Sequence, residues 1–444
     1  MAVARTDARS RDALNAMTLY LVVLFAIPAR LVIGPLGGAG SPAAVIGLGF
    51  LFWWMAARIV PSLGVARGFS PIRVALGILV GSILVSYVWS ALHPLPPDQR
   101  TGSDLGMLTV LSLVGVALVA SDMLSTRKSV EALLRRLTIG IAALAALGIV
   151  QFTTGFDITE FVRIPGLSAN HALHFIGERS NFRRVAGTTS HPIEFGVVLA
   201  LGLPLVLHFA AYAREHRRRW QFGVVLIGLA IPMTLSRSAI LGTIAAFLLL
   251  FFTWPAKRRA FALAVTPVFL VVLRIMIPGL VGTLSSLFTG FGQDDSVQHR
   301  QEAYAIAGPL IHKSPWLGRG FGTFIPSDFV GLSGVTTFDN QYLGMVVECG
   351  YIGLAALLSF FAVWFCAARG ARRHLHDEEG RDLMQSLAAT AVVGAISFAT
   401  FDGMAFPVVD GVIFLLAGCV GALWRLCHEI PVVPAPRARR VAGV

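Results

Sequence analysis

Two arginines stand in sequence surroundings that suit the binding of an anion. Arg237 lies between two serines in the short stretch LSRSAILG at 235–242, which separates two apolar runs. Arg300 falls on one stripe of a helix predicted at 296–311, together with Val297, Tyr304, Ala307 and Ile311. We expect this stripe to be the face that packs against the protein body. A guanidinium group stays charged and forms paired hydrogen bonds with phosphate oxygens, so both arginines are candidates for holding a phosphate or diphosphate. The alternative for each is an anchor at the membrane surface.

An acidic residue and its neighbours follow further along the chain. Asp339 and Asn340 stand at the start of an apolar run, and Glu348 lies two turns further on, on the same helical face as Gln341 and Met345. A carboxylate at position 339 can accept a proton from an attacking hydroxyl group, or it can cap the helix. We expect Glu348 to face the protein interior, because a charge that faces lipid is costly.

Further polar side chains precede another apolar run. Arg184 and His191 lie in RRVAGTTSHPIEFG at 183–196, where Pro192 fits the first turn of a helix. His191 can be structural or ligand-binding. The candidate binding residues are completed by His299 beside Arg300 and by Tyr342 beside Asn340.

Several other catalytic motifs are missing from the sequence. There is no D-x-D pair, since Asp294 and Asp295 are adjacent, and no GxxxxGK[ST] phosphate loop. The stretch GRGFG at 318–322 follows no predicted strand and is interpreted as a turn. The serines beside Arg237 lack a G-x-S-x-G context. The four cysteines have no CxxC spacing, so we predict neither disulfides nor a zinc site.

The composition determines which elements must position these residues. Of 444 residues, 55% are hydrophobic and 14% are charged, whereas about 25% are charged in an ordinary soluble domain. Runs long enough to cross about 30 Å of hydrocarbon predict an all-α polytopic membrane protein with about twelve transmembrane helices. The predicted spans are 17–33, 43–60, 72–92, 105–124, 136–153, 192–212, 221–235, 238–254, 260–281, 341–368, 383–402 and 407–427.

The distribution of charge predicts the topology. The net charge of +12 comes mainly from the N-terminal tail and from connections on one side of the predicted spans. The positive-inside rule indicates that this side is cytoplasmic, which also places both termini in the cytoplasm. The positive net charge is therefore explained by topology and does not indicate a nucleic-acid partner. Two long extracytoplasmic loops, 154–191 and 282–340, are predicted, the second between spans nine and ten. We predict one transmembrane domain over 1–430 and a disordered basic cytoplasmic tail at 431–444.

This topology gathers the candidate arginines and acids on the extracytoplasmic face. Two or three arginines at the outer leaflet suit a lipid-linked diphosphate. Attack on a sugar carbon attached to a diphosphate needs a base for the incoming hydroxyl group and fixed positive charge for the leaving group. Arginines can supply the positive charge without a metal, and we expect no cofactor.

Three motifs together resemble those of the bacterial O-antigen ligase and O-antigen or exopolysaccharide polymerase superfamily. They are LSRSAILG at 235–242, HRQEAYAIAGPLIHKSPWLGRGFGTF at 299–324 and DNQYLGMVVECGYIGL at 339–354. The segment 183–196 also fits, and the resemblance extends from about residue 183 to about residue 365. Each motif alone is weakly specific for this superfamily. The order of the three motifs and their common location on the predicted extracytoplasmic side are together fairly specific.

The resemblance implies a GT-C-like, metal-independent glycosyltransferase of the bacterial inner membrane. Members of the superfamily take a glycan from undecaprenyl diphosphate and pass it to a glycan or glycolipid acceptor. Carried over by motif, Arg237 and Arg300 would bind the diphosphate, and the residue before Asn340 would activate the acceptor. Ligases usually have His-Asn here, whereas this chain has Asp339-Asn340. A free aspartate, with a pKa of about 3.9, is a weaker base than imidazole unless burial raises the pKa.

The Asp-Asn pair favours a polymerase slightly over a ligase that acts on lipid A core or protein. A transporter or flippase for lipid-linked glycans is an alternative of another class. Transporters place polar groups near the bilayer midplane, where Arg274 is the one candidate in the predicted spans. An oligosaccharyltransferase with acids in its first outer loop is disfavoured, because GPLGGAGSP at 34–42 contains none.

Overall fold

The structure is a computed structural model that describes residues 2–60, 65–66, 68–170, 178–179, 182–289, 295–324 and 338–428. Its α-helices are α1 (Ala2–Ala26), α2 (Pro42–Ile59), α3 (Pro71–Ala91), α4 (Pro97–Met123), α5 (Arg127–Thr154), α6 (Pro192–Tyr212), α7 (Arg217–Met233), α8 (Arg237–Phe251), α9 (Ala256–Met276), α10 (Leu280–Thr289), α11 (Asp295–Lys313), α12 (Gln341–His374), α13 (Glu378–Phe398) and α14 (Pro407–His428). The predicted tail at 431–444 lies outside the described residues.

The all-helical membrane architecture is confirmed. Within the described ranges, eight helices are long and apolar enough to cross a bilayer, which makes this a polytopic membrane protein. Each of the twelve predicted spans falls on a helix, but α7 and α8 have only 17 and 15 residues. At 1.5 Å per residue they are about 25 and 22 Å long, shorter than the hydrocarbon core. The two predicted spans 221–235 and 238–254 are thus two separate short helices.

Strands contribute little to the part of the chain that the structure describes. β1 (Leu31–Val32) pairs antiparallel with β2 (Ser168–Ala169), and β3 (Glu178–Arg179) pairs with β4 (Phe182–Arg183). The first pair ties the connection after α1 to the predicted loop 154–191. Backbone hydrogen bonds therefore tie residues 168–169 of this loop to the connection between α1 and α2.

The helices surround α14. In the most apolar window of α14, 89% of the residues are buried, whereas only 6% are buried in α9, which lies at the periphery. Arg274 is in the last turn of α9 and is exposed, so the expectation of a charge near the midplane of a span was wrong for this residue. The four cysteines are free thiols: Cys349 and Cys419 are buried, Cys427 is half-buried and Cys366 is exposed.

The helix α12 is broken at Gly350. This glycine has φ 66° and ψ −170°, a conformation outside the helical region that is essentially restricted to glycine. If α12 were straight, Tyr342 and Phe361 would be about 28 Å apart. Yet the Tyr342 hydroxyl donates to the carbonyl of Ala395 at 2.8 Å, and the Phe361 ring lies against the adjacent Gly394. The first part of α12, residues 341–349, therefore folds back over the bundle.

The segment 314–324 supplies hydrogen bonds at the break. The N–H groups of Arg319 and Gly320 donate to the carbonyls of Val347 and Glu348 at 3.0 and 2.9 Å, and the N–H of Tyr351 donates to Pro315 at 2.8 Å. The predicted turn at 318–322 is confirmed, with positive φ at its three glycines. Its backbone partners satisfy groups that a broken helix would otherwise leave unpaired.

Candidate functional site

Arg237 begins α8, directly after a tight turn that links it to α7. Leu235 adopts a left-handed conformation with φ 51°, and Ser236 caps α8 by accepting the N–H of Ala239 at 3.4 Å. The turn is buried, because Thr234, Leu235, Ser236 and Ser238 are each at most 3% exposed. Arg237 itself is half-buried. The guanidinium group thus stands at the N-terminus of a helix, an end that carries partial positive charge and favours anions.

The residues between α13 and α14, 399–406, form a connection that we call the connector. Thr400 Oγ1 donates to Ser238 Oγ at 2.7 Å, which fixes the connector to the first turn of α8 beside Arg237. Two residues further on, the carboxylate of Asp402 accepts the N–H groups of Asp339 at 3.1 Å and Asn340 at 3.0 Å. The connector therefore contacts the Arg237 and Asp339 segments at positions only two residues apart.

Asp339 does not cap α12. The cap is Asn340, whose side-chain oxygen accepts the N–H groups of Tyr342 at 3.1 Å and Leu343 at 3.3 Å. Asp339 precedes the cap in a left-handed conformation with φ 50°. The alternative that it serves as the helix cap was therefore wrong, and its carboxylate has no capping role to perform.

Residues around His191 reach the other end of the connector. His191 caps α6 by accepting the N–H of Ile193 on Nδ1 at 3.1 Å, and its ring lies 5.8 Å from that of Phe406. Glu194, in the first turn of α6, accepts the N–H groups of Val408 at 2.7 Å and Val409 at 3.3 Å. Three segments that contain predicted site residues thus contact residues 400–409. These segments are 190–194, 237–238 and 339–341.

Burial shifts the pKa of both His191 and Asp402 towards the neutral form. Burial, reinforced by the nearby Arg184, lowers the pKa of His191 to about 4, so the ring is neutral at pH 7. Burial and the charge of Asp339 raise the pKa of Asp402 to about 6, against the lowering effect of its backbone hydrogen bonds. Arg184 therefore lies close enough to His191 for its charge to act on the ring.

Arg300 and His299 lie in α11, which occupies Asp295–Lys313, close to the predicted 296–311. Their side chains fall outside the described residues. Further along α11, Ala303, Ile306 and Ala307 pack with Phe338 and Val347. The expectation that Tyr304 is on the buried face was wrong, because 55% of Tyr304 is exposed, although its hydroxyl accepts a hydrogen bond from Asn340 Nδ2 at 3.3 Å.

Glu348 makes its hydrogen bonds outside the connector, although it lies close enough to Asp402 for the two carboxylates to interact electrostatically. It is half-buried, as expected for an interior position, and its carboxylate accepts the N–H of Phe324 at 3.4 Å. Its carbonyl accepts the Ser86 hydroxyl at 2.6 Å. Tyr342 is directed towards α13, where it donates to Ala395. Both residues hold the folded-back part of α12 in place.

The connector carries no recognised sequence motif, so Thr400 and Asp402 are not predicted as site residues. Glu194 is not predicted either, although it lies only three residues after His191. The available signal was the acid in FDG at 401–403, placed between two apolar runs where an unpaired charge would be costly. Among the described residues there is no cluster of three His, Cys, Asp or Glu side chains that could hold a metal ion.

The comparisons with known proteins support the motif-based interpretation. A search of curated proteins finds no match to the chain. The family model described as O-antigen ligase matches residues 222–358, a range that contains Arg237, Arg300, Asp339 and Asn340. The resemblance inferred from the three motifs is thus confirmed: residues 222–358 of this polytopic membrane protein match the O-antigen ligase family model.

Proposed function

We propose that this protein is a membrane glycosyltransferase that transfers a glycan from undecaprenyl diphosphate to a hydroxyl acceptor on the extracytoplasmic face of the bacterial inner membrane. The observation that carries the proposal is the connector, which touches the Arg237 segment through Thr400 and the Asp339 segment through Asp402. A group suited to the leaving diphosphate and a group suited to the acceptor proton are thereby tied to one short stretch of chain.

The proposed reaction is a single displacement at the sugar carbon. The acceptor oxygen forms a bond to the anomeric carbon while the bond from that carbon to the diphosphate oxygen breaks. The diphosphate leaves with the electron pair, and the hydroxyl proton passes to the carboxylate of Asp339. Arg237 and Arg300 stabilise the charge that develops on the leaving group.

The helix N-terminus at Arg237 adds to that stabilisation. The partial positive charge at the N-terminus of α8 favours an anion at the same end where the arginine stands. Arg184 and the neutral His191 are proposed to contact the donor. Asn340 and Tyr342, which begin the folded-back part of α12, and Glu348 and His299 are proposed to contact the glycan or acceptor.

A slight preference for a polysaccharide polymerase rests on Asp339 in place of the histidine that ligases usually carry. Transfer to lipid A core or protein is the alternative within the same chemistry. A lipid-linked glycan flippase is the alternative of another class. The exposed position of Arg274 at the end of α9 gives that alternative less support.

Reconstitution tests the proposal directly. The purified full chain would be placed in liposomes with an undecaprenyl-diphosphate-linked repeat unit and a chelator, with and without lipid A core. A ladder of longer lipid-linked glycans is the result expected for a polymerase, and glycan on lipid A core is the result expected for a ligase. Movement of the donor between leaflets without any transfer product would replace this proposal with transport.

A further inference from the structure

We propose that Asp402 is a positioning residue for glycan transfer, which holds Asp339 in the backbone conformation that sets the direction of its carboxylate. The inference rests on the proposed function, in which Asp339 takes the acceptor proton. Asp402 comes from the connector, 62 positions after Asn340, and belongs to none of the motifs that carry the family resemblance.

Successive backbone N–H groups surround the Asp402 carboxylate. Oδ2 accepts the N–H of Asp339 at 3.1 Å and Oδ1 accepts the N–H of Asn340 at 3.0 Å, while the N–H of Phe338 also bonds to this side chain. Consecutive N–H groups that converge in this way form an anion-binding nest, which requires an unusual backbone conformation. Asp339 provides it with its φ of 50°.

The conformation of Asp339 needs an outside partner. A left-handed conformation costs free energy for every residue with a side chain, although least for asparagine and aspartate. Hydrogen bonds to an ionised carboxylate are stronger than bonds to a neutral acceptor and can offset this cost. Without Asp402, residue 339 would be free to return to negative φ, which turns its Cα–Cβ bond and moves the carboxylate.

Asp402 is itself firmly placed. The carbonyl of its neighbour Phe401 accepts the N–H of Gln341 at 3.2 Å, and the side chain of Gln341 accepts the N–H of Met404 at 2.8 Å. Phe401 is 1% exposed. The connector is therefore bonded to the start of α12 on both sides of Asp402. Because these bonds hold Asp402 in place, its carboxylate can restrain the backbone of Asp339.

A simple helix-capping role does not explain this contact. The side chain of Asn340 already accepts the N–H groups of Tyr342 and Leu343, which are the groups that a cap of α12 satisfies. Asp402 instead binds the N–H groups of residues that precede the helix. Its contact acts on the conformation of Asp339, not on the first turn of α12.

The test compares Asp402→Asn and Asp402→Ala with wild type in the reconstituted transfer assay. Asn has the same shape and keeps one acceptor oxygen, so we expect kcat to fall about tenfold in Asp402→Asn. Ala keeps none, and we expect a fall of about a hundredfold. The donor KM should stay within about twofold, because the groups proposed to bind the donor are untouched. Amide hydrogen exchange should accelerate at residues 339 and 340.

The matched control is Asp104→Asn on α4. Asp104 is also a hydrogen-bonded aspartate near the predicted outer face, where it accepts the Tyr87 hydroxyl at 2.7 Å, but it has no contact with the connector. Its kcat and its exchange at residues 339 and 340 should equal those of wild type. Thermal unfolding of every variant separates loss of positioning from loss of fold. Asp402→Asn carries the test alone if Asp402→Ala does not fold.

A double-mutant cycle with Asp339→Asn separates this inference from the proposed function. If Asp402 acts through Asp339, adding Asp402→Asn to Asp339→Asn should cause no further loss of kcat. Two results would overturn the positioning role and leave Asp339 as the proposed base. One is wild-type kcat in both Asp402 variants. The other is a double variant whose loss of kcat equals the product of the losses in Asp402→Asn and Asp339→Asn. Full activity of Asp339→Asn itself would instead overturn the assignment of the base.

Discussion

Thr400 donates a 2.7 Å hydrogen bond from Oγ1 to Oγ of Ser238, the residue immediately after Arg237. Ser238 is 3% exposed, so this bond is shielded from water. It joins the segment between α13 and α14 to the first turn of α8, and it thereby restrains the backbone that carries Arg237. The position of a proposed donor-binding side chain thus depends on a residue more than 160 positions away.

Replacing Thr400 with valine should weaken donor binding. The substitution preserves shape but removes the hydroxyl donor, so the first turn of α8 loses a tether and Arg237 gains freedom. We expect the KM for the lipid-linked donor to rise about threefold to tenfold, the effect of one buried hydrogen bond. Thr101→Val on α4, where the hydroxyl bonds only to Pro97 of the same helix, is the matched control and should leave KM unchanged.

Removing the charge of Arg237 should abolish most turnover. Arg237→Ala is expected to lower kcat at least about a hundredfold, because a fixed cation at the leaving group is lost in the transition state. Arg237→Lys should recover part of the activity, since it restores charge but not the paired donors. Arg163→Ala, an exposed arginine of the loop after α5, is the control. Near wild-type rates in both Arg237 variants would remove this residue from the site.

The acid side of the pH profile should report Asp402. Its pKa of about 6 means that protonation below pH 6 converts one of its oxygens from acceptor to donor, which breaks a bond to the Asp339 segment. Turnover at pH 5 should be about a tenth of its value at pH 7.5. Asp402→Asn should be slower throughout and should depend less on pH over this range than wild type does. A wild-type profile with the same pH dependence as Asp402→Asn would contradict the prediction.

The stability of the folded protein should rise as pH falls over the same range in which turnover should fall. The pKa of Asp402 is higher in the folded protein than its ordinary value of 3.8, so the folded state binds the proton more tightly. The contribution of this group to the free energy of unfolding therefore rises as pH falls from 6 to 4. The measurement is the difference in melting temperature between wild type and Asp402→Asn, which should shift in favour of wild type at low pH.

His191 should contribute as a neutral hydrogen-bonding group and not as a cation. Its pKa is lowered to about 4, and its Nδ1 accepts the N–H of Ile193 in the cap of α6. Asparagine is also a good cap, so His191→Asn should melt close to wild type, whereas His191→Ala should lose about 1 kcal/mol of stability. Transfer rates measured on both variants complete the test. A stable but inactive His191→Asn would show that the ring itself contacts substrate.

The sequence predicts elements whose signal is local. Apolar length placed a helix at each of the twelve predicted spans, and helical spacing together with Pro315 placed α11 within two residues of its observed ends. His191 and Pro192 were recognised at a helix start because capping depends on neighbouring residues. Arg237 was singled out because a cation in a short turn between apolar runs is unusual.

Relationships that depend on tertiary contact were not predictable from one sequence. The helical stripe that included Tyr304 was expected to pack against the protein body. Tyr304 is instead exposed, and the α11 residues that pack against Phe338 and Val347 are Ala303, Ile306 and Ala307. The break at Gly350 leaves no sign in hydropathy, since the residues on both sides are apolar. The role of Asp402 needs the pairing of two connections that are about 60 residues apart, and no local pattern contains that information.

The break in α12 predicts that alanine substitution has opposite effects at two glycines of this helix. Gly350 has φ 66°, and a methyl group there would overlap the carbonyl of Trp316 in the segment 314–324. Gly350→Ala should therefore destabilise the protein by about 3 kcal/mol or more and reduce transfer, because the folded-back part of α12 carries Asn340 at its start. Gly370→Ala is the matched control, since nothing lies within 4 Å of its added carbon.

The control should change stability in the other direction. Gly370 has ordinary helical geometry, so alanine there should raise stability by about 0.5–1 kcal/mol through the lower entropy of the unfolded chain. The measurement is thermal unfolding of both variants in the same detergent, with transfer assayed in liposomes. Equal melting temperatures would mean that α12 continues straight through Gly350. In that case Asp339 could not reach Asp402, and the proposed arrangement of base and connector would have to be abandoned.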